Sequence, residues 1–88
     1  MKHTAALAEL DKILRHNPKD GEAYRHRAKI KRHMKDFNGA LKDVNSSLEL
    51  EPTTKGFRER AVIHELMGRK DLARKDRAEV HRLMIEPF

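Results

Sequence analysis

Tyr24 to Pro52 reads YRHRAKIKRHMKDFNGALKDVNSSLELEP. It divides into a helical pattern, a short turn, a second helical pattern and a proline stop. Much of the remaining chain copies it. Upstream, Ala6, Leu7 and Pro18 recur as Ala40, Leu41 and Pro52, a shift of 34. Downstream the shift is 33: Arg25, Arg27, Ala28, Ile30, Met34, Ala40, Lys42, Asp43 and Leu50 recur as Arg58, Arg60, Ala61, Ile63, Met67, Ala73, Lys75, Asp76 and Leu83. Unrelated sequences of ordinary composition would share about one or two identities over such a stretch. A period of this length in a helical pattern predicts an all-α solenoid of stacked helix pairs.

The residues at fixed places in each copy resemble the tetratricopeptide repeat. Tyr24 takes the first aromatic place, Ala28 the small-residue place, Ala40 the alanine of the second helix and Pro52 the closing proline. Phe57, Ala61, Gly68 and Ala73 fit the next copy in the same way. Arg27 and Arg60 replace a leucine of the pattern, Lys31 and His64 replace its tyrosine, and Val44 stands at its second aromatic. The resemblance implies a leading half repeat over 1–18, a repeat over 19–52, and a repeat with its capping helix over 53–88. It also implies an interaction module whose first helices line a concave groove. The RNA-reading pentatricopeptide relative fits less well, because Pro18 and Pro52 close the units in the tetratricopeptide manner.

Five antiparallel helices follow from the apolar periodicity: Thr4 to His16, Gly21 to Met34, Phe37 to Glu49, Thr54 to Met67 and Asp71 to Met84. Thr4, Asp20 and Asp36 are expected N-caps, and Asn17-Pro18, Gly68 and Pro87 are expected stops. The inward stripes are Ala6, Leu7, Leu10, Ile13 and Leu14; Tyr24, Ala28, Ile30 and Met34; Ala40, Leu41, Val44, Ser47 and Leu48; Phe57, Ala61, Ile63 and Met67; and a thin last stripe of Leu72, Ala73, Val80, Leu83 and Met84. Gly39 is read as a weak point of about 1 kcal/mol against Ala, or as a place of close helix approach.

With 88 residues, one domain is expected. Only 38% of residues are apolar and 39% are charged, so the helices must be amphipathic and share a linear core. The absence of cysteine excludes disulfides, thiol catalysis and Cys-ligated zinc. No apolar run approaches a membrane span, and the N-terminus makes a poor signal peptide, so an intracellular, cytoplasmic setting is the default expectation. Ser46 and Ser47 have no activating histidine at helical spacing, and there is no glycine-rich phosphate loop. No catalytic constellation is expected, and no cofactor. His26 and His33 lie two helical turns apart, roughly 10 Å by rise, too far to share a metal ion. No metal site is expected either.

Arg27 and Arg60 are each followed 16 residues later by an aspartate, Asp43 and Asp76. The repetition of both members predicts structural ion pairs that clamp the helices of each repeat. The formal net charge of +6 favours acidic partners. Arg25, Lys29, Arg32 and His33 occupy the arc opposite the apolar stripe of their helix, and Arg58, Val62 and Leu66 lie on the matching arc two helices on. Together they form the expected seat for a short acidic, partly apolar peptide or helix. The resemblance also brings to mind a carboxylate clamp built from Lys and Asn. Lys55 matches it, but Lys29 stands at an Asn place and Glu59 at an Arg place, which argues against it. Two alternatives stay open. One is non-specific RNA binding by the basic face, weakened because Tyr24, Phe37 and Phe57 are assigned to packing, which leaves only Phe88 for base stacking. The other is a designed or excised fragment that forms homo-oligomers through its solenoid ends.

Overall fold

A computed structural model describes residues 2–85. It contains five helices: α1 (Lys2–His16), α2 (Gly21–His33), α3 (Phe37–Leu50), α4 (Thr54–Leu66) and α5 (Lys70–Ile85), with no strand among the described residues. The expected stop at Pro87 and the aromatic Phe88 lie outside the described residues.

Local chemistry sets the helix starts. Asp20 accepts a hydrogen bond from the Ala23 N–H at 3.0 Å, Asp36 from Gly39 at 3.0 Å, and Thr53 from Gly56 at 3.0 Å. Each cap satisfies an N–H that the first helical turn leaves without a partner. Gly39 is explained by its cap. A Cβ there would stand 2.3 Å from the Asp36 carboxylate, so the glycine makes room for that bond and not for a neighbouring helix. Thr4 is not a cap, because α1 already includes Lys2 and His3. The His3 ring stacks on His33 at 6.3 Å between centroids, which holds this first turn against the end of α2.

The helix ends repeat as well. After α2, the Asp36 N–H bonds Lys31 O at 2.9 Å and the Lys35 N–H bonds Arg32 O at 2.9 Å. After α4, the Arg69 N–H bonds His64 O at 2.8 Å and the Gly68 N–H bonds Glu65 O at 3.0 Å. This closure needs a left-handed residue at its centre. Gly68 takes it at φ 79°, and Lys35 takes it at φ 65° in the preceding repeat.

The apolar stripes meet in two clusters. Leu10, Leu14 and Ala23 bury against Tyr24 and Ile30 between α1 and α2. Ala28, Ala40, Val44, Leu48 and Ile63 form the second cluster, with Leu41, Phe57 and Met67 packed around it. α2 pairs with α3 and α4 with α5; α3 packs on α4, α1 on α2, and the first helices α2 and α4 touch directly. The result is a thin slab, 37 × 30 × 17 Å. Four residues assigned inward are exposed: Ile13, Met34, Leu72 and Met84. α1 packs on α2 alone, so no second helix covers Ile13. Met34 lies just past the end of α2, and α5 leans on α4 alone, so no second helix covers Leu72 or Met84.

Candidate interaction surface

The charged residues inside the repeat are spoken for, and this decides which cations remain outside. Arg27 donates to Asp43 through Nε and Nη2 at 2.9 and 2.8 Å. Arg60 does the same to Asp76 at 3.0 and 2.8 Å. Both pairs have the bidentate geometry for which the planar guanidinium is suited. Each guanidinium also lies over the aromatic three residues earlier, Arg27 at 5.6 Å from the Tyr24 ring centre and Arg60 at 5.4 Å from that of Phe57.

The clamp has a third side that the 16-residue spacing does not reveal. Arg27 Nη1 donates to Asp11 of α1 at 2.8 Å, and Arg60 Nη1 donates to Asn45 of α3 at 2.9 Å. Asp11 and Asn45 are related by the shift of 34, so aligning the leading half repeat exposes the signal. Each arginine thus joins its own repeat to the one before. The Asp43 hydrogen bond is the main reason that the Arg27 guanidinium holds its proton more tightly than usual; burial opposes it and Asp11 adds to it.

A further partner differs between the repeats. Lys31 reaches Asp43 at 3.0 Å. His64 holds the same place one repeat on, 3.9 Å from Asp76, with its Nδ1 buried and unpartnered. Burial lowers the His64 pKa. Asp76 pulls it upward, but Arg60 already engages that carboxylate and, with Arg69, pushes it down again.

The expected peptide seat divides in two. Lys29, His33 and Arg58 are exposed, with Val62 at 37% and Leu66 at 53% exposure. Lys29 and Val62 share one place in successive repeats, as do His33 and Leu66. Arg25 and Arg32 depart from the expectation of a fully outward arc, because α2 and α4 lie side by side and cover part of it. Arg32 Nε donates to Glu59 of α4, and both side chains are largely covered. Arg25 is mostly covered too, at the edge of a cleft of about 200 Å³ that includes Ser47, Glu51 and Lys55. Arg58 extends toward α5, its Nη2 lying 3.2 Å from Met84 Sδ. Glu65, on the same helix, pairs with Arg77.

Tyr24 and Phe57 are partly buried and faced by their arginines, so neither offers an open ring for base stacking. Among the described residues no three His, Asp or Glu side chains gather as a metal site, and no helix is long and apolar enough to cross a membrane.

No family model matches the chain. It is 37% identical over 60 residues to human tetratricopeptide repeat protein 6, an overlap of 68% of this chain and 12% of that protein. It is 32% identical over 85 residues to Bos taurus tetratricopeptide repeat protein 36, an overlap of 91% of this chain and 45% of that protein. The chain therefore spans less than half the length of either relative. A solved structure of a MamA mutant shares the fold with a TM-score of 0.83 over 93% of this chain and 46% of that one, at 24% identity.

Proposed function

This chain belongs to the tetratricopeptide-repeat family, and we propose that it is a protein-interaction module that holds a short acidic, partly apolar peptide or helix along α2 and α4. The observation that carries the reading is the pairing of exposed cations with exposed aliphatics at equivalent places: Lys29 with Val62, and His33 with Leu66. Carboxylates of the partner would approach Lys29 and Arg58, while aliphatic side chains cover Val62 and Leu66. Arg25 stands at the rim. Arg32 contributes by fixing α4 beside α2 through Glu59.

Exposed ion pairs contribute on the order of 0.2–1 kcal/mol each, so the aliphatic contacts carry the selectivity. The test is an anisotropy titration with three probes: an acidic peptide with two leucines, a peptide of equal charge without them, and an RNA oligomer, each at two salt concentrations. The leucine peptide should bind best. Lys29→Glu with Arg58→Glu should weaken it, and Leu66→Ala should abolish its advantage over the plain acidic peptide. Tighter binding of RNA than of either peptide would assign the basic face to nucleic acid instead.

A further inference from the structure

Asn38 and Gly39 stand side by side in the first turn of α3. An asparagine before a glycine carries its own chemistry. The glycine nitrogen, once it has lost its proton, attacks the side-chain carbonyl carbon of the asparagine. Ammonia leaves and a five-membered imide remains. Water then opens the imide at either carbonyl. One opening gives aspartate; the other gives isoaspartate, in which the main chain runs through the side chain. Glycine favours the attack because it has no Cβ to hinder the approach. The other asparagines of the chain are poor candidates. Asn17 precedes Pro18, which has no N–H. Asn45 lies in mid-helix and accepts from Arg60 at 2.9 Å. Asp20 precedes Gly21, but its carboxylate resists attack far better than an amide does.

Two features of the fold set the rate at Asn38, and they oppose each other. Its side chain is exposed, so water reaches it. Against this, the Gly39 N–H donates to Asp36 Oδ1 at 3.0 Å, and the Ala40 N–H donates to Asp36 O at 2.9 Å. The cap occupies the very nitrogen that would attack. A helical ψ of about −42° also turns that nitrogen away from the Asn38 side chain. The same cap demands the glycine, since a Cβ at position 39 would stand 2.3 Å from the Asp36 carboxylate. The reactive pair and the contact that restrains it are one arrangement.

The next repeat indicates what each product does. At a shift of 33, Asn38 corresponds to Asp71, an acid in the first turn of α5, whereas the first turn of α3 has none. Aspartate at position 38 therefore takes a place that α5 already fills with an acid, at the positive end of the helix. Isoaspartate instead lengthens the main chain there by one carbon. Asp36 then loses its register with Gly39 and Ala40. The Asp36 N–H also closes α2 by bonding Lys31 O at 2.9 Å, so the disturbance reaches the end of that helix. We infer that Asn38 is a site of spontaneous deamidation, reached when the first turn of α3 opens and slowed by the Asp36 cap, and that its two products diverge. Aspartate leaves the repeat intact, and isoaspartate loosens the joint between α2 and α3.

The test incubates the whole chain in mildly alkaline buffer, folded and unfolded in urea, and follows position 38 by peptide mapping that resolves asparagine, aspartate and isoaspartate. The unfolded chain should convert about tenfold faster than the folded one, or more. Asp36→Ala should speed the folded chain about fivefold, the fold-change that loss of an N-cap implies. Asp36→Ser, which keeps a cap, should return the rate close to wild type, with circular dichroism checking that both variants stay helical. In the wild-type chain, urea below the unfolding transition should raise Gly39 amide exchange and deamidation together, a measurement that needs no variant. Asn38→Asp should melt no lower than wild type, whereas the purified isoaspartyl form should melt lower and shift the Asp36 and Ala40 amides. Equal rates in the folded and unfolded chains would overturn the inference. So would a folded rate indifferent to Asp36→Ala, conversion confined to the unfolded chain, or two products of equal stability.

Discussion

Asn45 accepts a hydrogen bond from Arg60 at 2.9 Å, reaching forward from α3 to the first helix of the next repeat. Asp11 does the same for Arg27. The arginine in each repeat is therefore both an intra-repeat clamp and an inter-repeat tie. Asp43 is nearly inaccessible and holds both Arg27 and Lys31, so Asp43→Ala should lose about 3 kcal/mol in urea denaturation, the lower end of the range for breaking a buried pair. Arg27→Met with Asp43→Leu should recover most of that loss, because no part-buried guanidinium is then left without its carboxylate and Lys31 can turn to water.

His64 should make stability depend on pH on the acid side. Its folded-state pKa lies below its unfolded value near 6.5, so in that window the unfolded chain binds more protons. The stability contributed by neutral His64 is complete above the unfolded pKa and is lost as pH falls from there toward the folded pKa. Urea midpoints at pH 7.5 and 5.0 should show the decline. His64→Phe should flatten it, and an unchanged slope would place the titration elsewhere.

Lys35 and Gly68 test the helix closures as a pair. A non-glycine residue in the left-handed region costs roughly 1–2 kcal/mol, partly offset by the greater unfolded-state freedom of glycine. Lys35→Gly should therefore stabilise by about 0.5–1 kcal/mol. Gly68→Ala should destabilise by about 1 kcal/mol even though no atom would crowd its Cβ. Thermal melts of the two variants should move in opposite directions.

Arg32→Ala should uncover a carboxylate at the boundary between α2 and α4. Glu59 is largely covered and would lose its partner, so a loss of about 1–2 kcal/mol is expected for a partly screened pair. On the peptide face, the same variant should loosen the register of Lys29 with Val62 and weaken the leucine peptide more than the plain acidic one. Equal weakening of both would show that Arg32 acts only through its charge.

The order of five helices was legible because two periodicities agree: 3.6 residues within each helix and 33 to 34 between repeats. Asp20 and Asp36 cap where their side chains precede an apolar run, and Arg27 meets Asp43 because the same spacing recurs at Arg60 and Asp76. Arg32 with Glu59 was not legible. Its spacing of 27 occurs once, and a helical wheel of α2 says nothing about which flank α4 will cover. Lys35 was hidden for a different reason, since its left-handed backbone is imposed by closure of α2 and lysine carries no signal for it. Asp11 could have been found, because it aligns with Asn45 in the half repeat.

α1 leans only on α2, and α5 only on α4. Such a molecule melts as a zipper opens, with the outer teeth freed at little cost to the inner ones. Amide hydrogen exchange should be fastest at the two outer helices and slowest around Ala28, Val44 and Ile63, where three helices converge.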